Sequence, residues 1–198
     1  ELAIQQKRAI HLALSSRLSI ITGGPGTGKT TIISAILDGW NDEDSVFLVA
    51  PTGKASRRMS EVTGFENATT IHRMISMSKN AKGEEKYKNS LLIVDEASML
   101  DVNLAYSLLC FADKNNASIV LIGDIDQLPP IGPGNFFREL VASPRVPTVK
   151  LDFSHRQSGT IALNANRLIN GEMNAGKFIQ DDSFIYINAK ADAVQQSV

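Results

Sequence analysis

The sequence predicts an α/β fold, a mostly parallel sheet with helices on both faces. Three observations predict it. Short runs that are apolar at almost every position recur along the chain, which is how strands buried on both faces read. Segments of helical length and helical apolar spacing separate them. Polar motifs follow the runs directly, as expected where ligands gather outside the carboxyl ends of parallel strands.

Residues 18–22 form the first strand and run into Gly23-Gly24. Residues 30–40 have the length and apolar spacing of a helix. Residues 46–50 are a second strand, stopped by Pro51, which has no N–H to give to a ladder. Residues 53–62 read as a helix with a basic face, and residues 91–94 as a third strand. Residues 102–112 read as a helix capped by Asp101, whose carboxylate can accept a first-turn N–H. Residues 119–122 give a fourth strand, 135–141 a helix, 148–151 a fifth strand and 161–169 a further helix. The most polar stretch, residues 78–90, holds Lys79, Lys82, Lys86 and Lys88 with Gly83, and reads as an exposed loop or short hairpin.

Composition narrows the function classes. The 198 residues are 43% hydrophobic, enough for one cored domain with the start of a second. Twenty basic residues against 21 acidic give a net charge of -1, so no global positive field draws nucleic acid. Any grip on nucleic acid must come from local groups. The single cysteine, Cys110, rules out a disulfide framework within the chain. In Leu108-Leu109-Cys110-Phe111 it reads as a small buried hydrophobe. No signal peptide and no membrane-spanning apolar run stand out, which suggests a reducing, cytoplasmic setting. The chain opens Glu-Leu without Met, and reads as a piece of a longer protein.

The first strand leads into Gly23-Gly24-Pro25-Gly26-Thr27-Gly28-Lys29-Thr30-Thr31, which fits the phosphate-loop pattern from Gly23 to Thr30. Glycines let backbone N–H groups turn around an anion, and the following helix points its positive end at the same phosphates. Lys29 can reach the β- and γ-phosphates, and Thr30 can place its hydroxyl on Mg²⁺. The motif by itself means nucleotide and leaves kinase, GTPase and motor open. The third strand ends in Asp95-Glu96. Asp95 can hold the magnesium shell opposite Thr30, and Glu96 can accept a proton from an attacking water. The fourth strand ends in Gly123-Asp124-Ile125-Asp126-Gln127-Leu128-Pro129-Pro130. The amide of Gln127 can contact a γ-phosphate oxygen or orient the water, and lose that contact after hydrolysis.

Five segments together resemble the RecD-type DNA helicases, superfamily 1 helicases of the 5′-to-3′ branch. They are the phosphate loop, Ala50 to Met59 (APTGKASRRM), Thr69 to Ile75 (TTIHRMI), Leu91 to Leu100 (LLIVDEASML) and Ile122 to Gly134 (IGDIDQLPPIGPG). The likeness extends from Leu2 to about Gly171 and implies a RecA-like ATP-binding motor domain over residues 1–150. Residues 151–198 would begin a second, incomplete motor domain. Gln6 is similar to the family's adenine-reading glutamine. Pro51, Thr52, Gly53 and Lys54 are similar to the motif that touches single-stranded DNA, with Arg57 and Arg58 as added charge or a solvated helix face. His72 is similar to a histidine on the DNA-facing surface. Arg156 resembles the arginine that approaches the γ-phosphate from the second domain. Family members also insert a small fork-wedge hairpin near residues 78–90.

The resemblance implies ATP and Mg²⁺ as cofactors and single-stranded DNA as partner, with further protein partners in a recombination and repair complex. The competing classes are a non-catalytic nucleotide-binding subunit and a kinase. The family's later motifs, a Gln-Gly-rich motif and an arginine finger, do not occur by Val198. Slow hydrolysis and no unwinding are therefore expected of this segment alone.

Overall fold

The computed structural model describes residues 2–40, 45–66, 68–79 and 85–151, together with Thr160, Asn164, Arg167 and Ile179. In chain order the elements are α1 (Ile4–Ser15), β1 (Leu18–Gly23), α2 (Lys29–Gly39), β2 (Val46–Ala50), α3 (Gly53–Thr63), β3 (Thr69–Thr70) and α4 (Ile71–Met77). There follow β4 (Leu91–Val94), a 3₁₀ turn (Ala97–Met99), α5 (Val102–Lys114), β5 (Ser118–Gly123), α6 (Phe136–Ala142) and β6 (Thr148–Leu151).

The six strands form one sheet in the order β3-β2-β4-β5-β1-β6, and every pairing is parallel. Alternate strand residues bury on opposite faces, as the two-residue period of a strand requires. Ile20, Leu92, Val94, Ile119 and Leu121 pack with α4, α5 and α6 through Ile71, Met74, Leu108, Phe111 and Phe137. Ile21, Leu91, Ile93, Val120 and Ile122 pack with α1, α2 and α3 through Ala9, Ala13, Ile32, Ile36 and Met59. Two apolar faces explain why the strands read as unbroken apolar runs.

Local signals set several boundaries. Asp101 Oδ1 accepts from Leu104 N at 2.8 Å, so the expected cap of α5 is present. Thr52 Oγ1 caps α3 by accepting from Ala55 N at 3.2 Å. Gly64 ends α3 at φ 72°, a left-handed stop that suits glycine.

Three features depart from the sequence expectations. Helix α1 is unexpected: only Ala9 and Ala13 are fully buried, with Ile10, Leu12 and Leu14 half-buried beside them, and its N-cap Ala3 has no side-chain oxygen to accept a first-turn N–H. Cys110 lies exposed on α5 rather than in the core, because Ala105, Leu108, Phe111 and Ala112 supply the buried face. The stretch from Ser78 to Ser90 is not simply exposed. Tyr87 is 4% exposed, with its ring 4.5 Å from Phe47 and 5.2 Å from Phe111, and Lys86 Nζ lies 5.5 Å from the Phe47 ring centre. One aromatic among the lysines anchors this segment to the core, while residues 80–84 lie outside the described residues.

The chain clusters into two compact units, Glu1–Phe153 and Ser154–Val198. Leu151 is thus the last residue of β6 in the first unit. In the second unit, Asn164 is fully buried and its side chain exchanges two hydrogen bonds with the Ile179 backbone, at 2.6 and 2.9 Å.

Tyr87→Ala is expected to lower stability by about 3 kcal/mol, the cost of removing a buried aromatic ring. Urea unfolding monitored by circular dichroism checks this; a change within about 0.5 kcal/mol would mean a surface position.

Candidate active site

Parallel register brings the carboxyl ends of β1, β5, β4 and β2 to one edge of the sheet: Thr22 pairs with Gly123, Leu121 with Val94, and Val94 with Val49. The polar motifs begin at that edge.

The loop between β1 and α2 is shaped by its glycines. Gly26 and Gly28 have φ of 76° and 85°, a region that costs other residues about 1–2 kcal/mol. Gly23 has no room for a side chain: a Cβ there would lie 2.8 Å from Thr27 Oγ1 and 2.9 Å from Leu151 Cβ. Buried Thr27 pins the loop by donating from Oγ1 to Gly24 O at 2.9 Å. Helix α2 starts at Lys29, so its unpaired first-turn N–H groups, including those of Thr30 and Thr31, belong to this loop. Lys29 Nζ donates to Gly23 O at 2.6 Å and Gly24 O at 2.8 Å. Burial pulls its pKa below the ordinary lysine value, and the charges of Asp124, Asp95 and Glu96 oppose that shift.

Gln6 braces the loop from outside. Its Oε1 accepts from Ala3 N at 3.0 Å and its Nε2 donates to Thr27 O at 3.3 Å. A Cβ on Gly28 would collide with that same amide. Pro25 completes the loop and lines the cleft beside it.

Across the cleft stand the two acids. Asp95 Oδ1 accepts from Glu96 N at 2.9 Å. Glu96 holds φ 52° and ψ 39°, an unusual conformation for a non-glycine residue, and opens the Ala97–Met99 turn. The chain therefore turns sharply at the strand end instead of carrying Glu96 onward. Burial raises the pKa of Asp95 above the usual carboxylate value, and burial together with the neighbouring Asp95 charge raises that of Glu96.

Gln127 is tied to the acids' turn: Ser98 Oγ donates to Gln127 Oε1 at 3.5 Å. Its loop is stiffened by Asp124, 4% exposed, whose Oδ1 accepts from Asp126 N at 3.0 Å and whose carbonyl accepts from Gln127 N at 3.3 Å. Gly123 permits the close packing beneath, because a Cβ would lie 2.9 Å from the Phe137 ring and 3.0 Å from Ser98 N.

These groups share a cleft of about 330 Å³ lined by Pro25, Gly26, Gly28, Lys29, Thr30, Asp95, Glu96 and Gln127, with Ile33 of α2 and Ala55, Arg58, Met59 and Val62 of α3. Thr30 and Asp95 put a hydroxyl and a carboxylate in the same cleft. Hard oxygen donors of this kind fit Mg²⁺ shared with phosphates. No group of three or more His, Cys, Asp or Glu that could hold a metal occurs among the described residues, so an all-protein metal cage is not formed there.

The other sequence candidates fall elsewhere. Pro51 and Thr52 line a second groove with Met99, Leu104 and the segment from Gln127 to Gly132, about 650 Å³ in volume. Gly53, Lys54 and His72 are exposed. Arg156 lies outside the described residues.

Sequence reasoning gave no role to Asp124 or Ser98, and it left Arg58 as added charge beside the DNA motif or a solvated helix face. Arg58 is exposed and lines the nucleotide cleft. The signal was present: Ala55, Arg58, Met59 and Val62 recur at helical spacing on α3, the side that meets α2.

Gly28→Ala is expected to cost about 1–2 kcal/mol from its left-handed backbone alone, and more from displacing Gln6. Thermal melting checks it, and an unchanged midpoint would contradict this loop geometry.

The family model described as AAA domain matches residues 1–190. The chain is 39% identical over 177 residues to an ATP-dependent RecD2 DNA helicase of Deinococcus radiodurans, covering 86% of this chain and 24% of that protein. It is 32% identical over 164 residues to a RecBCD enzyme subunit RecD of Mycobacterium tuberculosis, covering 69% of this chain and 28% of that protein. This chain therefore spans about a quarter of the length of those relatives. A solved structure of Pif1 helicases at forked double-stranded DNA superposes with a TM-score of 0.66 at 19% identity, covering 88% of this chain and 49% of that one, a likeness of fold. With its all-parallel sheet and phosphate loop, the chain belongs to the AAA domain family, as a RecA-like motor domain of the RecD helicase type.

Proposed function

We propose that this chain is the ATP-binding half of a motor that moves on single-stranded DNA, with residues 154–198 beginning the second half. The observation that carries the reading is the position of Gln127, which lines both the nucleotide cleft and the groove beside Pro51 and Thr52. One side chain bordering both spaces can report the state of one to the other. The groove carries exposed apolar groups suited to bases, with Leu128 87% exposed and Ile131 109% exposed. Exposed Lys54 and the N-terminus of α3 stand ready for backbone phosphates.

In this mechanism the backbone N–H groups of the loop and Lys29 hold the β- and γ-phosphates. Gln6 steadies the loop and reads adenine. Glu96, made more basic by its buried setting, takes the proton of the attacking water. Magnesium, held by Thr30 and Asp95, would supply charge neutralisation on the phosphate oxygens. Loss of the γ-phosphate releases Gln127, and Ser98 and the rigid Asp124 turn pass that change to the groove wall. By the resemblance, Arg156 would add charge at the γ-phosphate.

The named relatives include subunits of RecBCD. We extend to this chain a role in DNA recombination and repair, with protein partners and a cytoplasmic setting. No helix among the described residues is long and apolar enough to cross a membrane.

In the complete protein carrying this chain, single-stranded DNA is expected to stimulate ATP hydrolysis. Lys29→Ala should lower that activity about 100-fold or more, as loss of a positioned charge contact does; retained turnover would refute the site. Glu96→Gln should keep ATP binding, read by calorimetry, and stop phosphate release. Lost binding would make Glu96 structural instead.

A further inference from the structure

We propose that Arg58 is a second cation for the nucleotide, reaching its terminal phosphate from α3. The inference rests on the cleft being the nucleotide site.

Four observations carry it. Arg58 lines the same cleft as Lys29, Thr30, Asp95 and Glu96. It comes from the right side. The phosphate loop follows β1, the acids follow β4 two strands away, and α3 follows β2, on the far side of β4 from β1. A triphosphate that starts in the loop and extends toward the acids has its terminal end directed at α3. The guanidinium is also uncommitted: among the described residues Arg58 has no hydrogen bond and no ion pair within 4 Å, although Lys29, Asp95 and Glu96 all feel its charge. Last, the balance of charge calls for it. Lys29 sits among three carboxylates, Asp95, Glu96 and Asp124, and a polyanion entering such a site needs more than one cation. The planar fork of an arginine suits phosphate oxygens, and such charge-assisted bonds are roughly twice as strong as neutral ones.

The placement has a consequence. Helix α3 begins at Gly53, next to Pro51 and Thr52 in the DNA groove. A phosphate held by Arg58 would therefore restrain the helix that carries the DNA loop, and would release it when the phosphate leaves.

The test uses the complete protein and isothermal titration calorimetry with ADP and with a non-hydrolysable ATP analogue, each with Mg²⁺. Arg58→Ala is expected to weaken the ATP analogue tenfold or more and ADP by less than twofold. Arg58→Lys should recover part of the loss. Arg58 is exposed, so melting temperatures of the variants should match the parent. An unchanged affinity for the ATP analogue would overturn the proposal, and so would equal losses for both nucleotides, which would remove the terminal phosphate as the target. Failure of the cleft reading looks different: the parent protein itself would bind neither nucleotide, and both inferences would fall together.

Discussion

Strand β5 lies between β1 and β4, and the rest of the site depends on that adjacency. The phosphate loop follows β1 and the acids follow β4, so one strand's width separates the cation that grips phosphate from the carboxylates that act on it. Strands in a sheet lie about 4.8 Å apart, which puts the axes of β1 and β4 about 10 Å apart. Gln127 enters from the loop after the strand in the middle. Five parallel pairings in fixed register do the positioning.

That arrangement is costly for the groups it holds. Lys29, Asp95 and Glu96 are all half-buried, and burial shifts each toward its neutral form. They are tolerated because they face one another and because backbone atoms partner them: two loop carbonyls for Lys29 and the Glu96 N–H for Asp95. A site poised in this way gains from a ligand that brings its own charges. The tight packing of Gly123 under Phe137 and Ser98 serves the same end, because it leaves the Gln127 loop little freedom to drift from the acids.

Much of this was legible in the sequence. The runs at Val46–Ala50, Leu91–Val94 and Thr148–Leu151 have the bounds their patterns predict: every residue of the first two is apolar and buried, and edge strand β6 alternates, with Lys150 exposed between Val149 and Leu151. The phosphate loop and the acids are legible because their chemistry needs fixed residues at fixed spacing. What escaped has physical reasons. Helix α1 buries only Ala9 and Ala13 fully, with Ile10, Leu12 and Leu14 half-buried beside them, so its inward face carries a weak pattern. β3 is two threonines long, too short for any period to show. Tyr87 is a single anchor in a polar stretch, and its partners Phe47 and Phe111 are distant in sequence. Arg58 reads as added charge or a solvated helix face and is exposed; its place beside the nucleotide cleft depends on how α3 rolls against α2, which the sequence pattern does not carry.

The central claim is that the loop from Gly23, the acids Asp95 and Glu96, and the Gln127 amide all address a single triphosphate. A crystal structure of the protein with Mg²⁺ and a non-hydrolysable ATP analogue tests it most directly. The account predicts phosphates in the loop, Lys29 turned from its carbonyls to the β- and γ-phosphates, and Glu96 and Gln127 around the terminal phosphate. An analogue seated elsewhere, or one whose terminal phosphate points away from Asp95 and Glu96, would contradict it.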